Sequence, residues 1–366
     1  MTKKIYTVLT LIICLFAVPC HAFAVGAEDE RKSSEQLMCI AYRGDTALYE
    51  ANSRQAVLSA FDKGADFVSV NVRKSDDGSL VLCSENAVEI KGILLEEMLS
   101  ELDENQVLIL DFDKELKDEV YSLLEENEAF SRAYLRIKDS AKNINKWLSS
   151  KSEKPRVIGV NSSFNIFTVK SFVKNMSAMP AIQLQSKNYF NVMYGSLCYD
   201  AYPSRQGTGI IAPMYNPDLC GQRSDSEDGW NDLIKKNFNI IETNNLDSFI
   251  AYKENALVLK EHLGNLLTKA QGIDAEGYSL VSRENLADAI EKADALMGGF
   301  ASCDELQSAV SGLQLAINSL ASSEGEDTQK GALNITPGKI IAALLVGSLI
   351  LAAQIYVQKM QKEKKR

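Results

Sequence analysis

Histidine is the scarcest of the chemically useful residues in this chain of 366 residues, occurring only as His21 and His262. A histidine pair is the usual means of moving protons near neutral pH, because the imidazole pKa lies there. His21 belongs to an N-terminal apolar segment, and His262 lies in a helical region late in the chain. A mechanism based on two histidines is therefore excluded for residues 37–252.

Other common catalytic and binding motifs are also missing. The five cysteines beyond residue 24 include no CxxC pair and show no zinc-ligand spacing. No glycine-rich dinucleotide or P-loop motif follows an apolar run. In an oxidising compartment Cys198 and Cys220 could form a disulfide across a loop, or remain as thiols.

The charge is strongly acidic between the two ends of the chain. The whole sequence carries a net charge of −10, and omitting residues 1–24 and 339–366 leaves 31 basic and 48 acidic side chains, a net −17. Such a surface repels phosphate backbones and anionic lipid, so we expect no nucleic-acid partner.

The elements that must position any site alternate between short apolar runs and amphipathic helical patterns. Strand–helix alternation of this length predicts parallel strands with crossover helices. About eight strands in this length favour an α/β fold of the (β/α)8 TIM-barrel type, over residues 37–255. The apolar runs cover residues 37–41, 67–72, 80–83, 107–112, 133–137, 157–160, 181–184, 209–212 and 240–242.

A helical region follows over residues 256–320. Apolar residues repeat at spacings of three and four, as in Leu306, Val310, Leu313 and Ile317, which predicts two helices packed as a small hairpin. Residues 278–320 also resemble the FIVAR-type helical repeat of Gram-positive surface proteins.

Both ends of the chain read as membrane signals. Residues 1–24 combine two lysines, an apolar run and Ala22-Phe23-Ala24, which is typical of a secretory signal peptide; an uncleaved anchor is the alternative. After a linker at 25–36, the barrel and the helical region, a polar stalk at 321–338 leads to a predicted transmembrane helix at 339–358. The tail at 359–366 is basic, so we expect a single-pass cell-membrane protein with an extracellular barrel and a cytoplasmic tail.

Several consecutive segments resemble the glycerophosphodiester phosphodiesterase family, with the family's spacing. The resemblance implies a barrel whose site lies at the carboxyl ends of the strands. The matching segments are Ala41-Tyr42-Arg43-Gly44, Ala51-Asn52-Ser53, Gly64-Ala65-Asp66, Ser69-Val70-Asn71, Asp77-Gly78, Ser163-Phe164, Pro180 and Glu242-Thr243-Asn244.

The family's catalytic groups do not accompany the scaffold. The resemblance places the histidine pair at Tyr42 and Ser84, and the cation-binding carboxylates at Ala51, Ser69, Asn71 and Asp111. Asp111 alone is a carboxylate, whereas Ca²⁺ and Mg²⁺ need several oxygen ligands. The candidate metal ligands are therefore Asp111, Asn71 and Glu85, and no cofactor is expected unless the protein is active.

The phosphate-binding side of the site is better retained. The resemblance implies substrate contacts from Arg43, Tyr42 and Tyr215, and an arginine fork matches a phosphate well. The alternative interpretation is that Arg43 forms a structural ion pair with Asp45 or Asp111.

Three functions remain open at this point. The first is a membrane-anchored, extracellular, catalytically inactive barrel that binds a phosphodiester ligand or a surface protein. The second is an active Ca²⁺- or Mg²⁺-dependent phosphoric diester hydrolase with a metal site rebuilt from Asp111, Glu85, Glu50 and Asp45. The third is a structural surface protein whose helical repeat carries the interaction.

Overall fold

A curled sheet of parallel strands forms the first part of the protein in the computed structural model, which describes residues 37–83, 90–161, 172, 181–184, 209–213, 225–235 and 238–320. The strand order is β1-β9-β8-β7-β6-β5-β4-β2-β3, and β1 also pairs with β2, so the sheet closes on itself. β3 alone among the described strands is antiparallel, pairing with β2. The predicted barrel-like α/β fold is confirmed. The strands are β1 (Met38–Tyr42), β2 (Phe67–Lys74), β3 (Leu80–Leu82), β4 (Leu108–Asp111), β5 (Ala133–Ile137), β6 (Arg156–Asn161), β7 (Ala181–Leu184), β8 (Gly209–Pro213) and β9 (Ile240–Thr243).

Serine caps begin several of the helices that follow the strands. The Ser53 side chain accepts a hydrogen bond from the Ala56 N–H, and Ser140 does the same for Asn143, each at 3.2 Å. Two short 3₁₀ turns lie at Lys114–Leu116 and Phe130–Arg132. The helices within the described ranges are α1 (Arg54–Asp62), α2 (Leu95–Glu101), α3 (Lys117–Glu126), α4 (Ala141–Ser149), α5 (Glu227–Lys235), α6 (Leu246–Gln271), α7 (Leu280–Met297) and α8 (Cys303–Asn318).

The inside of the barrel is apolar at one end and polar at the other. Side chains alternate across each strand, and outward residues such as Val68 and Leu110 join the core shared with the helices. A second buried cluster contains only strand residues, so it fills the barrel interior: Met38, Ile40, Ile109, Ile158 and Ile240, with Phe67 and Tyr134 packed against them. The inward positions nearer the carboxyl ends are polar, namely Ser69, Asn71, Asp111, Arg136 and Glu242.

Helix α6 joins the barrel to the helical region without a break, because it runs for 26 residues through position 255. Its first turns pack on the barrel through Phe249 and Tyr252. Its second half packs with α7 and α8 around a separate core. The predicted hairpin of α7 and α8 is therefore completed by a third helix that begins in the barrel.

The start of α8 is fastened to the barrel by buried hydrogen bonds. Ser302 and Glu305 form a capping box, and the Cys303 N–H donates to the Tyr252 hydroxyl at 3.0 Å. The Tyr252 hydroxyl in turn donates to Asn231 Oδ1 on α5 at 2.7 Å. No helix of the ranges given above is both long enough and apolar enough to cross a membrane. The predicted signal peptide, linker, stalk, membrane helix and tail lie outside those ranges.

Candidate functional site at the carboxyl end of the barrel

The loop after β1 is held in an unusual backbone conformation. Arg43 and Asn52 both have a φ of 63°, which is uncommon for residues with a side chain, and Gly44 has a φ of 87°. The Arg43 N–H donates to the Ser69 carbonyl at 2.8 Å, and the Asn52 N–H donates to the Arg43 carbonyl at 2.9 Å. Asn52 Oδ1 accepts from the Asn71 N–H at 2.8 Å. These bonds fix Tyr42 and Arg43 against the end of β2.

Arg43 stacks on its neighbour. Its guanidinium carbon lies 4.5 Å from the centre of the Tyr42 ring, a cation–π contact, and both side chains are partly exposed. The two carboxylates considered as its ion-pair partners are bonded to other cations. Lys63 Nζ lies 2.9 Å from Asp45 Oδ2, and Arg136 Nη1 lies 3.2 Å from Asp111 Oδ2.

Asp45 acts as a structural anchor between α1 and the loop. It is buried, and it accepts hydrogen bonds from Ser59 at 2.8 Å and from Lys63. Burial alone would raise the pKa of Asp45, but the bonds from Lys63 and Ser59 and the lysine charge hold it below its usual range. A carboxylate engaged in this way is a poor candidate for the rebuilt metal site.

Asp111, Arg136 and Glu242 form an ion-pair network inside the barrel. Arg136 Nη2 lies 2.7 Å from Glu242 Oε1, and both side chains are buried, whereas Asp111 is about one-third exposed at 35%. Burial raises the pKa of the Glu242 carboxyl, and the guanidinium of Arg136 opposes that rise. Sequence reasoning missed Arg136 and did not assign Glu242 to the site. The available signal was a single charged residue at an inward position of each of the apolar strands β4, β5 and β9.

Two further polar groups lie on β2 and at the end of β9. Asn71 lies opposite Asp111 in the pairing of β2 with β4, and its buried Oδ1 has no hydrogen-bond partner in the described part of the chain. The carboxylate of Asp225 accepts from Thr243 Oγ1 at 2.6 Å and from the Asn244 N–H at 3.0 Å, at the end of β9. Burial raises the pKa of Asp225, although these bonds act in the opposite direction.

The structure thus brings Tyr42, Arg43, Asn71 and Asp111 to the same end of adjacent strands β1, β2 and β4. Glu85 and Tyr215, the remaining ligand and substrate candidates, lie outside the described residues, as does Ser84.

A divalent cation does not fit the groups described at this end. Asp111 is already bonded to Arg136, and Asn71 contributes a neutral amide. Within the ranges that the structure covers, no group of three or more His, Cys, Asp or Glu side chains could hold a metal ion. Arg136 thus engages Asp111, the one carboxylate at the cation-ligand positions that the sequence resemblance implies.

Comparison with known proteins supports the fold at low sequence identity. No protein-family model matches the chain, and no curated protein matches it. A glycerophosphoryl diester phosphodiesterase from Parabacteroides distasonis is similar to it with a TM-score of 0.51 and 13% identity, over 64% of this chain and 93% of that one. Glycerophosphodiester phosphodiesterases from Thermotoga maritima and Agrobacterium tumefaciens are each 15% identical over 59% of this chain, covering 98% and 100% of theirs, with TM-scores of 0.46. The chain therefore has a fold of the glycerophosphodiester phosphodiesterase type.

Proposed function

We propose that this protein is a membrane-anchored, extracellular barrel of the glycerophosphodiester phosphodiesterase type that is catalytically inactive and acts as a binding or scaffolding module. The observation that carries the proposal is the engagement of Asp111, the one matching carboxylate, by Arg136. Tyr42 and Asn71 supply no proton-transfer group near neutral pH and no second charge for a metal.

The anion-binding side supports a ligand role. Arg43 is partly exposed, its backbone is fixed by bonds to β2 and Asn52, and its guanidinium is stacked on Tyr42. A pre-positioned guanidinium at the mouth of a barrel suits a phosphodiester, since little conformational entropy is lost on binding. Tyr215 completes the proposed contact set. The other partner we consider is a surface protein that binds the mouth of the barrel or the unit formed by α6, α7 and α8. Helices α7 and α8 cover the segment that resembles the FIVAR-type repeat.

The proposed function is tested by measuring whether the barrel binds a glycerophosphodiester without cleaving it. Full-length protein is equilibrated with glycerophosphocholine in the presence of Ca²⁺ and Mg²⁺, and the bound compound is recovered and analysed. We expect intact diester and weaker binding by Arg43→Ala, while Arg283→Ala, which removes an exposed arginine on α7, binds like the wild type. Release of choline in the wild-type sample would contradict the inactive assignment.

Membrane anchoring rests on the sequence of the C-terminal segment. Residues 340–357 carry no charge, and the following tail is basic. Protease added to intact cells should remove the barrel and leave a small C-terminal fragment. A barrel protected from the protease would refute the proposed topology.

A further inference from the structure

The guanidinium of Arg136 bridges two opposite walls of the barrel. In the closed strand order, β5 and β9 are separated by three strands in either direction. Arg136 on β5 nevertheless lies 2.7 Å from Glu242 on β9, while its other terminal nitrogen lies 3.2 Å from Asp111 on the adjacent β4. The side chain therefore crosses the interior and holds two carboxylates with one fixed charge.

A bridge of this kind does what a bound cation would do. Two carboxylates that face each other inside a barrel repel each other, so both stay ionised only when a cation lies between them. Arginine supplies a charge that does not titrate in proteins and a planar fork with two directed donors. The side chains of Arg136 and Glu242 are 2% and 0% exposed, so the bridge is covered from solvent on the β9 side.

Asn71, which pairs with Asp111 across β2 and β4, has a hydrogen-bond acceptor that this ion-pair network does not use. The Oδ1 atom of Asn71 is buried and has no hydrogen-bond partner among the residues described. Because β2 pairs with β4 in register at Asn71 and Asp111, the Asn71 residue lies directly beside the one whose carboxylate Arg136 binds. Two carboxylates thus contact the guanidinium, and the Asn71 amide lies on the strand beside one of them.

We infer that Arg136 is a built-in cation that takes the place of a divalent metal, and that it conceals a cation site formed by Asp111, Glu242 and Asn71. While Arg136 is present, the mouth of the barrel binds no metal at these residues. Removal of the guanidinium opens a site for a hard divalent cation such as Ca²⁺ or Mg²⁺, with oxygen ligands only. The inference rests on the proposed inactive function, since an active enzyme would hold its metal in the wild-type chain.

The test compares cation binding by full-length variants that differ only at arginine positions. Calcium binding is measured by titration calorimetry after EDTA treatment, with Mg²⁺ in parallel. We expect Arg136→Ala to gain one site with a dissociation constant of roughly 10⁻⁴–10⁻³ M, in the range of weak protein calcium sites. Wild type and Arg136→Lys, which keeps a cation in place, should bind at least about tenfold more weakly.

Arg54→Ala is the matched control. Arg54 also bridges two carboxylates, Glu97 at 3.6 Å and Glu101 at 3.1 Å, but on the exposed surface of the barrel. Its removal frees two carboxylates in water, where the charges are hydrated and screened, so no stoichiometric site should appear. The double variant Arg136→Ala/Asp111→Asn should lose the gained site.

Folding of Arg136→Ala is followed by circular dichroism in EDTA and in Ca²⁺. If the variant unfolds in EDTA, Ca²⁺ should restore the fold, because a ligand that binds only the native state stabilises it. If Arg136→Ala folds but gains no cation site, the inference is overturned. It is also overturned if the variant is unfolded and Ca²⁺ does not restore its fold. Both results leave the proposed function standing. Stoichiometric cation binding by the wild type that Asp111→Asn abolishes would overturn both.

Discussion

Substitution of Gly44 by alanine should be far more damaging than the same change at another glycine with a similar backbone. Gly44 has a φ of +87°, and an added Cβ would lie 2.5 Å from the backbone carbon and 2.6 Å from the carbonyl oxygen of Ala56 in α1. Gly78, in the turn between β2 and β3, has a φ of +92°, but its nearest neighbour would be the flexible end of Lys74 at 3.8 Å. The pair separates backbone strain from steric collision.

The left-handed conformation costs a residue with a side chain about 1–2 kcal/mol, and this cost is common to both substitutions. The collision at Gly44 adds overpacking against a helix backbone, typically about 1–3 kcal/mol. We therefore expect Gly44→Ala to lose about 1–3 kcal/mol more than Gly78→Ala. For domains of 150–250 residues each kcal/mol lowers Tm by about 2–4 °C.

The assay is thermal unfolding of the two full-length variants, followed by circular dichroism beside the wild type. Equal losses of Tm would refute the packing of α1 against the loop that carries Tyr42 and Arg43. Binding of glycerophosphocholine should fall in Gly44→Ala as well, because the loop must move to relieve the collision.

Two further predictions concern buried polar groups. Asp45→Asn should lower stability near neutral pH because it breaks the bond to Lys63. Because the pKa of Asp45 is lower in the folded than in the unfolded state, its ionised carboxylate stabilises the fold at pH values above the unfolded-state pKa of about 3.9. This contribution is lost as the pH falls through the folded-state pKa. The urea midpoints of variant and wild type should therefore converge below about pH 4. Tyr252→Phe removes the hydroxyl that joins Cys303 to Asn231 and should cost about 1–3 kcal/mol in urea unfolding, because buried partners lose their bond.

Exposed positions provide the controls for these two changes. Asp76→Asn and Tyr49→Phe alter side chains that are open to solvent, and both should leave the free energy of unfolding in urea within about 0.5 kcal/mol of the wild-type value. A constant gap between Asp45→Asn and wild type down to pH 2.5 would contradict the role of Asp45. If Tyr252→Phe lowers the free energy of unfolding by no more than Tyr49→Phe does, the role of Tyr252 is contradicted.

The barrel was predictable because its local signals are strong. Short apolar runs coincide with β2, β5 and β9, and the Asp77-Gly78 turn marks the reversal into β3. Each of these signals acts within a few residues, through side-chain alternation and backbone conformation. The positions of these strands therefore follow from the pattern without knowledge of distant contacts.

The ion-pair network was not predictable in the same way. Arg136 and Glu242 are 106 residues apart in sequence, and they meet only because the sheet closes. Within each strand the charged residue occupies an inward position, which marks it as unusual but does not identify its partner. The bonds of Asp45 to Lys63 and of Asp111 to Arg136 were likewise not predicted, because they too depend on the folded chain.

The extent of α6 could not be read from composition. The change to helix-forming residues near position 256 suggested a boundary, whereas the helix starts at Leu246 and continues to Gln271. The helix crosses that point without a break, and its burial partners change from the barrel core to the core of α7 and α8, which composition does not reveal.

Metal-dependent turnover of a glycerophosphodiester tests the central claim most directly. Full-length wild type and Asp111→Ala are incubated with glycerophosphocholine in Ca²⁺, in Mg²⁺ and in EDTA, and choline release is measured. Each positioned acid–base group contributes about 10²–10⁴-fold to such a reaction, so the absence of two leaves release at the background rate in every sample. Hydrolysis by the wild type that requires the cation and vanishes in Asp111→Ala would contradict the inactive barrel.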